Sequence, residues 1–296
     1  MNRKDFIKSL SLIPLSGLAM KLQALQQLTQ SFSETELMPT LFIGHGSPMN
    51  AIEENVFVRG FRETAASLPR PRAILCISAH WETMGTFVTA MERPRTIYDF
   101  GGFPPELYEV VYPAPGSPSL ATETKRLINS VTVGEDLHWG LDHGAWTVLR
   151  HFFPDAAVPV VQLSLDMRQP AEYHYELARA LAQLRDKGVL IVGSGNMVHN
   201  LRLVAWNKLD EAGFGFDWAL EAQQRMKTML LKNDHKGLIN YAKQGEAFRL
   251  AIPTPEHFLP LLYVLAVQNE NDKMTFFNDQ AVAGSLTMTS LLLSQS

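Results

Sequence analysis

The sequence predicts an α/β fold: a single domain with a central, mostly parallel sheet flanked by helices, and with a metal site at the carboxyl ends of the strands. Three observations support this prediction. The chain has 296 residues and is 46% hydrophobic, which is enough for one large core. Apolar runs at residues 40–43 and 73–78 predict buried strands. Helical spacing over residues 56–68 lies between them, and this strand–helix–strand order implies that the two strands pair in parallel.

The second half of the chain repeats the same alternation. Residues 158–165 and 189–192 predict strands, and residues 171–186 predict a helix between them. An amphipathic helix is predicted at residues 217–232 and a closing strand at residues 285–292. No internal repeat, low-complexity tract or linker interrupts this pattern, so we expect one domain rather than two.

The beginning of the chain is predicted to lie outside the domain, which spans residues 38–296. A basic start at residues 2–8 precedes an apolar segment at residues 9–20 that is too short and too polar to span a bilayer as a helix. Residues 3–8 resemble a weakened twin-arginine export signal. Residues 1–37 are therefore either an N-terminal extension or an export signal. The protein would be periplasmic if the signal is used, and otherwise cytoplasmic.

Charge and cysteine content exclude several classes of function. The net charge of −4, without any Lys/Arg run, argues against a nucleic-acid-binding protein. The single cysteine, Cys76, can form neither an internal disulfide nor a thiolate-rich metal site. Metal chemistry in this chain would therefore depend on its nine histidines.

Three of these histidines follow predicted strands at turns of small residues. His45 stands between two glycines directly after the first strand, where residues without a Cβ let the backbone bend sharply. His80 follows the second strand, and His199 follows the strand at residues 189–192. Because open α/β sheets place their ligands at the carboxyl ends of strands, we expect these histidines to lie at one edge of the sheet.

A different pattern points to His257. Residues 253–257 predict the start of a helix, with Thr254 at the N-cap and Pro255 at the first helical position. The positive end of the helix dipole disfavours an imidazolium there, so His257 would be neutral, which is the form that binds metals. A capping role is enough to explain the neighbouring Glu256.

An aromatic loop and three further histidines complete the set of candidates. Residues 93–118 are rich in proline, glycine and aromatic residues, which is typical of a packed lid or a pocket wall. His143 lies in a glycine-bounded turn that leads into a short helix. His174 and His235 fall on predicted helix faces, and we interpret them as structural or solvated.

Six short motifs together carry a resemblance to a known family. They are GHGSP at residues 44–48, SAHW at 78–81, YDFGGFP at 98–104, LDHGAW at 141–146, GSGNMVHN at 193–200 and TPEHFLP at 254–260. In this order they resemble the 4,5-DOPA extradiol dioxygenase family of class III ring-cleaving dioxygenases, which is similar to the B subunit of protocatechuate 4,5-dioxygenase. The resemblance implies that residues 38–296 form a catalytic domain of this kind.

The resemblance also implies roles for five histidines. His45, His80 and His257 fall on metal-ligand positions, and His199 falls either on a fourth ligand or on the active-site acid/base. His143 falls on a histidine beside the substrate. A non-haem Fe(II) oxygenase usually offers two histidines and one carboxylate, whereas this nearly all-imidazole set also suits Zn(II). We therefore expect Fe(II) for catalysis, with Zn(II) able to occupy the same site.

The expected reaction is extradiol cleavage of a catechol such as DOPA, in which O₂ opens the ring to a semialdehyde. His199 would take and return the catechol proton, assisted by His143. The expected partners are thus a small catechol and O₂, with no nucleic acid and no stable membrane insertion. We expect a monomer or a small homo-oligomer.

Two other functions stay open from the sequence. A zinc-dependent hydrolase could use the same histidines to activate water, although no carboxylate base is paired with a typical ligand motif. A non-catalytic metal-binding protein would instead have a closed four-histidine site. A serine hydrolase is disfavoured because neither Ser47 nor Ser194 lies in a G-x-S-x-G motif.

Overall fold

The computed structural model describes residues 36–209 and 211–295, so the predicted extension or export signal lies almost entirely outside the described residues. The described strands are β1 (Thr40–Gly44), β2 (Ala73–Ser78), β3 (Glu82–Thr83), β4 (Thr86–Thr89), β5 (Val133–Asp136), β6 (Val160–Gln162), β7 (Leu165–Asp166), β8 (Val189–Gly195), β9 (Lys273–Phe277), β10 (Ala281–Val282), β11 (Leu286–Thr287) and β12 (Ser290–Ser294). The described α-helices are α1 (Val56–Ala66), α2 (Pro105–Tyr108), α3 (Pro118–Leu127), α4 (His143–Phe152), α5 (Ala171–Arg179), α6 (Asp217–Leu231), α7 (His235–Ile239), α8 (Glu246–Ala251) and α9 (Leu259–Ala266). None of these helices has both the length and the apolar character that crossing a bilayer requires.

A six-stranded sheet forms the centre of the domain, in the order β6–β2–β8–β1–β12–β9. Strands β6, β2, β8 and β1 are parallel, whereas β12 runs antiparallel to β1 and β9 runs antiparallel to β12. The predicted α/β fold with a central, mostly parallel sheet is therefore confirmed. Strands β1 and β2 have the predicted parallel orientation, but the predicted pairing between them is wrong, because β8 lies between them and pairs with both. Every residue of β8 is buried, which suits a strand covered on both faces.

Different helices cover the two faces of the sheet. Successive residues of a strand point to opposite faces, so Leu75 and Ile77 of β2 pack in one apolar cluster and Ile74 and Cys76 pack in the other. Helices α5 and α9 contribute to the first cluster, and α1 and α4 contribute to the second. The helices therefore flank the sheet as the sequence predicts.

The parallel strands end together at one edge of the sheet. In the register of the sheet, Gly44 at the end of β1 pairs with Gly195 at the end of β8. Ser78 at the end of β2 pairs with Ser194. The residues that follow β1, β2 and β8 therefore leave the sheet side by side.

The buried side chain of Arg185 links the segment just before β1 to the connection between α9 and β9. Arg185 is 1% exposed, and its guanidinium donates to the carbonyls of Met38 and Val267 at 2.7 and 2.8 Å. It also binds both carboxylate oxygens of Asp272. Four hydrogen bonds to one buried guanidinium satisfy most of its donors, so its burial leaves little uncompensated charge.

Some predicted elements differ from the observed ones. The strand predicted at residues 158–165 is split into β6 and β7, because the Leu163 amide still bonds to β2 whereas the Ser164 amide bonds to Phe87 of β4. The helix predicted at residues 171–186 becomes a 3₁₀-helix after α5. The antiparallel edge strand β9 was not predicted.

The start of α9 was predicted too early in the chain. A single turn, in which the amides of Phe258 and Leu259 donate to the Pro255 carbonyl, precedes the helix. Helix α9 itself begins at Leu259, because Pro260 has no amide hydrogen with which to continue the ladder from that turn. Thr254 is therefore not an N-cap, and Pro255 is not the first helical residue.

Candidate metal centre

Three histidines meet where β1, β2 and β8 end. His45 directly follows β1, and its amide donates to the Gly195 carbonyl at 3.1 Å. His80 lies two residues beyond β2. His257 lies in the turn before α9, which is held against the end of β8 because the Asn196 amide donates to the His257 carbonyl at 2.9 Å. One ring nitrogen of each histidine lies within 4.8 Å of the others, so the three could hold a metal ion.

A buried serine fixes the tautomer of His45. Ser194 Oγ donates to the Gly144 carbonyl, and His45 Nδ1 lies 3.0 Å from the same Oγ. A hydroxyl has one hydrogen, and the carbonyl already takes it, so His45 must donate its Nδ1 hydrogen to Ser194. The lone pair of His45 is therefore on Nε2, on the side of the ring that faces His80.

One carboxylate faces two further rings. Asp99 Oδ2 lies 2.9 Å from His143 Nδ1 and 3.5 Å from His80 Nδ1. Burial raises the pKa of Asp99, but hydrogen bonds from His143 outweigh burial and leave the pKa below its usual value. The carboxylate is thus ionised at neutral pH and can only accept hydrogen bonds. His143 consequently carries hydrogen on Nδ1 and a lone pair on Nε2, and the charge of the same carboxylate favours this tautomer of His80.

A second carboxylate orients His257. Glu256 Oε1 lies 3.0 Å from His257 Nδ1 and accepts a hydrogen bond from the Thr254 hydroxyl at 2.9 Å. The capping role expected for Glu256 is therefore wrong, because its side chain is turned to the histidine before α9 begins. The lone pair of His257 is again left on Nε2.

Two of these lone pairs face each other directly. The Nε2 atoms of His45 and His80 lie 3.1 Å apart. In the tautomers that Ser194 and Asp99 favour, neither nitrogen carries a hydrogen, so the two repel unless a cation lies between them. Two imidazole nitrogens bound to one metal ion at about 2.0–2.1 Å would be about 3.0–3.4 Å apart. The donor set of His45, His80 and His257 therefore fits a divalent transition metal. Three protein ligands leave coordination positions open for other molecules.

Burial keeps the three imidazoles neutral. It lowers the pKa of His45 and of His257 well below the usual value, and neighbouring histidines lower both further. Burial also lowers the pKa of His80 to about 3, helped by His143 and opposed by Asp99. Because a neutral imidazole is the form that binds a metal, the site is ready for metal at neutral pH without losing protons.

His199 lies beside this group, in contact with His257. The two rings are stacked, with centroids 3.5 Å apart and planes at 10°. Imidazole lone pairs lie in the plane of the ring, so two parallel rings this close do not direct them to one point. Burial lowers the pKa of His199 to about 4, which leaves its ring neutral at neutral pH.

His143 begins α4, and the start of this helix packs on the site. Asp142 is the N-cap, and its Oδ1 accepts from the Ser78 hydroxyl at 2.6 Å, which ties α4 to the end of β2. A Cβ on Gly144 would lie 2.8 Å from His80 Cδ2, so glycine lets the helix approach the His80 ring. The ring centroids of His143 and His80 are 3.8 Å apart.

The aromatic loop predicted from the sequence lies against His143. The Phe100 ring meets the His143 ring edge to face, with centroids 5.5 Å apart. Four other aromatic rings pack around Phe100, and they are those of Tyr98, Phe103, Tyr108 and Trp146. The loop therefore forms an aromatic wall on the His143 side of the site.

Sequence reasoning found the five histidines but missed the groups that orient them. Asp99 had one signal, as the only acidic residue of the motif at residues 98–104. Ser194 had none, because its partners lie far away in the sequence. His174 and His235 are structural, as interpreted, since their Nδ1 atoms lie 3.0 and 2.8 Å from tyrosine hydroxyls.

Comparison with known families agrees with this geometry. Residues 39–290 match the family described as the catalytic LigB subunit of aromatic ring-opening dioxygenase. The chain therefore belongs to this family, and the predicted enzyme class, an extradiol ring-cleaving dioxygenase, is confirmed.

Individual relatives are similar to this protein over most of its length. The chain is 47% identical to the 4,5-DOPA dioxygenase extradiol of Escherichia coli K12, over 86% of this chain and 94% of that protein. It is 38% identical to the protein of the same name from Beta vulgaris, over 86% of this chain and 96% of that protein. A crystal structure of an uncharacterized protein from Escherichia coli K12 superposes with a TM-score of 0.75 at 43% identity, covering 87% of this chain and all of that one.

Proposed function

We propose that this protein cleaves a small catechol such as DOPA in an Fe(II)-dependent extradiol reaction with O₂, giving a ring-opened semialdehyde. The observation that carries the proposal is the pair of ring nitrogens, Nε2 of His45 and Nε2 of His80, that lie 3.1 Å apart beside an aromatic wall. The relatives named 4,5-DOPA dioxygenase extradiol support the choice of substrate class.

In this proposal His45, His80 and His257 hold the metal. Bound ferrous iron would bring the catechol and O₂ together and pass electron density between them, which Zn(II) does not do because it has no redox chemistry. The remaining contacts with the substrate come from the side chains of the protein. Phe100 and the surrounding aromatic rings pack on the flat face of the substrate, and the buried position of the site excludes water.

The proton transfers are assigned to His199 and His143. His199 is neutral at neutral pH, and its ring stacks on the candidate ligand His257, so we assign to it the transfer of a catechol hydroxyl proton and its later return. His143 presents a lone pair on Nε2, because Asp99 holds the hydrogen of its Nδ1, so it can accept a hydrogen bond from the second hydroxyl. We place His199 in this acid/base role rather than as a fourth ligand, because its ring is parallel to that of His257.

The deciding experiment is a catechol screen with metal-loaded protein. Protein loaded with Fe(II) under anaerobic conditions and then given DOPA and O₂ should form a yellow ring-opened product, with one O₂ consumed for each ring. The zinc-loaded protein is the matched control and should form none. Hydrolysis of esters or amides by the zinc form, with no product from any of several catechols by the iron form, would overturn the proposal in favour of a zinc hydrolase. Tight metal binding without either reaction would favour a non-catalytic metal-binding protein.

A further inference from the structure

Asp99 occupies an unusual position between two histidines with different proposed roles. Its Oδ2 faces Nδ1 of both His143 and His80, at 2.9 and 3.5 Å, and its Oδ1 accepts from the His143 backbone amide at 2.8 Å. The side chain is 17% exposed. One carboxylate therefore contacts a proposed metal ligand and the histidine on the substrate side together.

The hydrogen positions follow from the chemistry of the carboxylate. An ionised carboxylate has no hydrogen to donate, so the nitrogens that face it are favoured in their N–H form. This keeps the lone pair of His143 on Nε2, and the nearby charge favours the same tautomer of His80. The two rings lie with centroids 3.8 Å apart, close enough that turning either one displaces the other.

The loop that carries Asp99 fixes the position of its carboxylate. On one side, the Tyr98 hydroxyl donates to the Val110 carbonyl at 2.8 Å. On the other side, Phe100 packs edge to face on His143. Asp99 is thus fixed between two anchored aromatic residues, on the same loop that forms the wall of the site.

We propose that Asp99 is a positioning residue that holds His80 and His143 in one tautomer and one orientation, so that a single side chain affects both metal binding and turnover. This inference rests on the proposed function, because it assumes that His80 binds the metal and that His143 contacts the substrate. Outer groups that hydrogen-bond to metal-ligating histidines commonly affect metal affinity in this way.

The test uses Asp99→Asn in the full chain, with Asp155→Asn as the matched control. Asparagine has the same shape, but its amide nitrogen cannot accept a hydrogen bond from either ring. Asp155 is a surface carboxylate whose partner is Arg70. For Asp99→Asn we expect Zn(II) affinity, measured by competition with a chelator, to fall about 10–100-fold, and kcat of the iron-loaded enzyme to fall by a similar factor. The control should match wild type in both.

A third measurement separates positioning from a general structural role. In zinc-loaded protein labelled with ¹⁵N-histidine, His143 of wild type should show a protonated Nδ1 and an unprotonated Nε2. In Asp99→Asn the two tautomers of His143 should exchange, and both signals should shift toward each other. Assignment of the His143 signals comes from their loss in His143→Gln.

The possible outcomes distinguish the two proposals. Unchanged His143 signals in Asp99→Asn, or wild-type values of either Zn(II) affinity or kcat, would overturn the role of Asp99. Failure of wild type itself to bind metal or to open catechols would instead overturn the proposed function. If Asp99→Asn does not fold, Asp99→Ala with added formate replaces it. Formate should then restore both the His143 signals and the metal affinity, and no restoration would overturn the proposal.

Discussion

At the scale of single residues, each of the three candidate metal ligands has a polar group next to its Nδ1 atom. The Nδ1 atoms of His45, His80 and His257 lie 3.0, 3.5 and 3.0 Å from Ser194, Asp99 and Glu256, in that order. His199 differs from the three candidate ligands, because its ring stacks on that of His257. This difference supports the separate role that we propose for His199.

The separate role of His199 gives a direct prediction. His199→Ala should keep its metal and lose turnover by about 10²–10⁴-fold, because it removes proton transfer and leaves the three ligands in place. His45→Ala should lose its metal, since it removes a ligand. Metal content by mass spectrometry and kcat by absorbance of the product measure the two effects, and the exposed His138→Ala is the control. Loss of metal from His199→Ala would make it a fourth ligand.

The sequence predicted the residues of the site better than their partners. His45 and His80 could be found because a histidine after an apolar strand is a local pattern. Asp99 and Ser194 could not, because each acts on a histidine that is distant in the chain and close only after folding. Glu256 is adjacent to His257, yet its role was misread because the start of α9 was placed too early.

At the scale of elements, β8 lies very close to the turn before α9 and to the start of α9. A side chain on β8 at either contact would clash. A Cβ on Gly195 would lie 2.1 Å from the His257 carbonyl oxygen, and a Cβ on Gly193 would lie 2.4 Å from the Pro260 carbonyl oxygen. These two glycines let the turn that carries His257 lie directly against the strand. The position of His257, the third candidate ligand, therefore depends on two residues that have no side chain.

Substitution of one of these glycines should affect stability and metal binding together. We expect Gly195→Ala to lower the free energy of unfolding by about 1–3 kcal/mol, because the added methyl group overpacks a buried contact. It should also weaken Zn(II) binding, since the turn with His257 must move. Gly101→Ala adds a Cβ with no atom within 4 Å, so its free energy of unfolding should stay close to that of wild type. Denaturant unfolding and chelator competition provide the measurements, and unchanged values for Gly195→Ala would contradict the role of this contact.

The elements themselves were predictable where their pattern was local. Strands β1, β2 and β8 and helices α1, α4 and α6 follow from apolar runs and helical spacing. The insertion of β8 between β1 and β2 could not be predicted, because strand order depends on contacts between distant segments. Strand β9 was missed because its residues are partly exposed at the edge of the sheet and show no continuous apolar run.

At the scale of the whole molecule, buried histidines make folding sensitive to acid. His174 is fully buried in α5, and burial lowers its pKa to about 4. In the unfolded chain its pKa is about 6.5, so the unfolded state binds more protons between these two values. The free energy of unfolding therefore decreases as the pH falls from about 6.5 to about 4.

The size of this effect can be measured with a substitution at His174. The shift corresponds to at most about 3 kcal/mol between neutral pH and pH 4. His174→Gln should remove that part of the pH dependence, because glutamine does not titrate. Urea unfolding of the metal-free protein at pH 7 and pH 4.5 measures the change, and the exposed His138→Gln should keep the slope of wild type. The same pH dependence of the free energy of unfolding in His174→Gln and wild type would contradict this prediction. It would show that protonation of His174 does not destabilise the folded protein.

The position of β8 in the sheet determines when the candidate metal ligands can come together during synthesis. His45 and His80 follow β1 and β2, which are made early in synthesis, but these strands are not neighbours until β8 has inserted between them. His257 comes later still, and β12, which closes the sheet beside β1, is made last. The three candidate ligands therefore come together only when the sheet is assembled. We expect a metal ion to bind only after this stage, so the metals available in the compartment of the folded protein would determine which ion is bound.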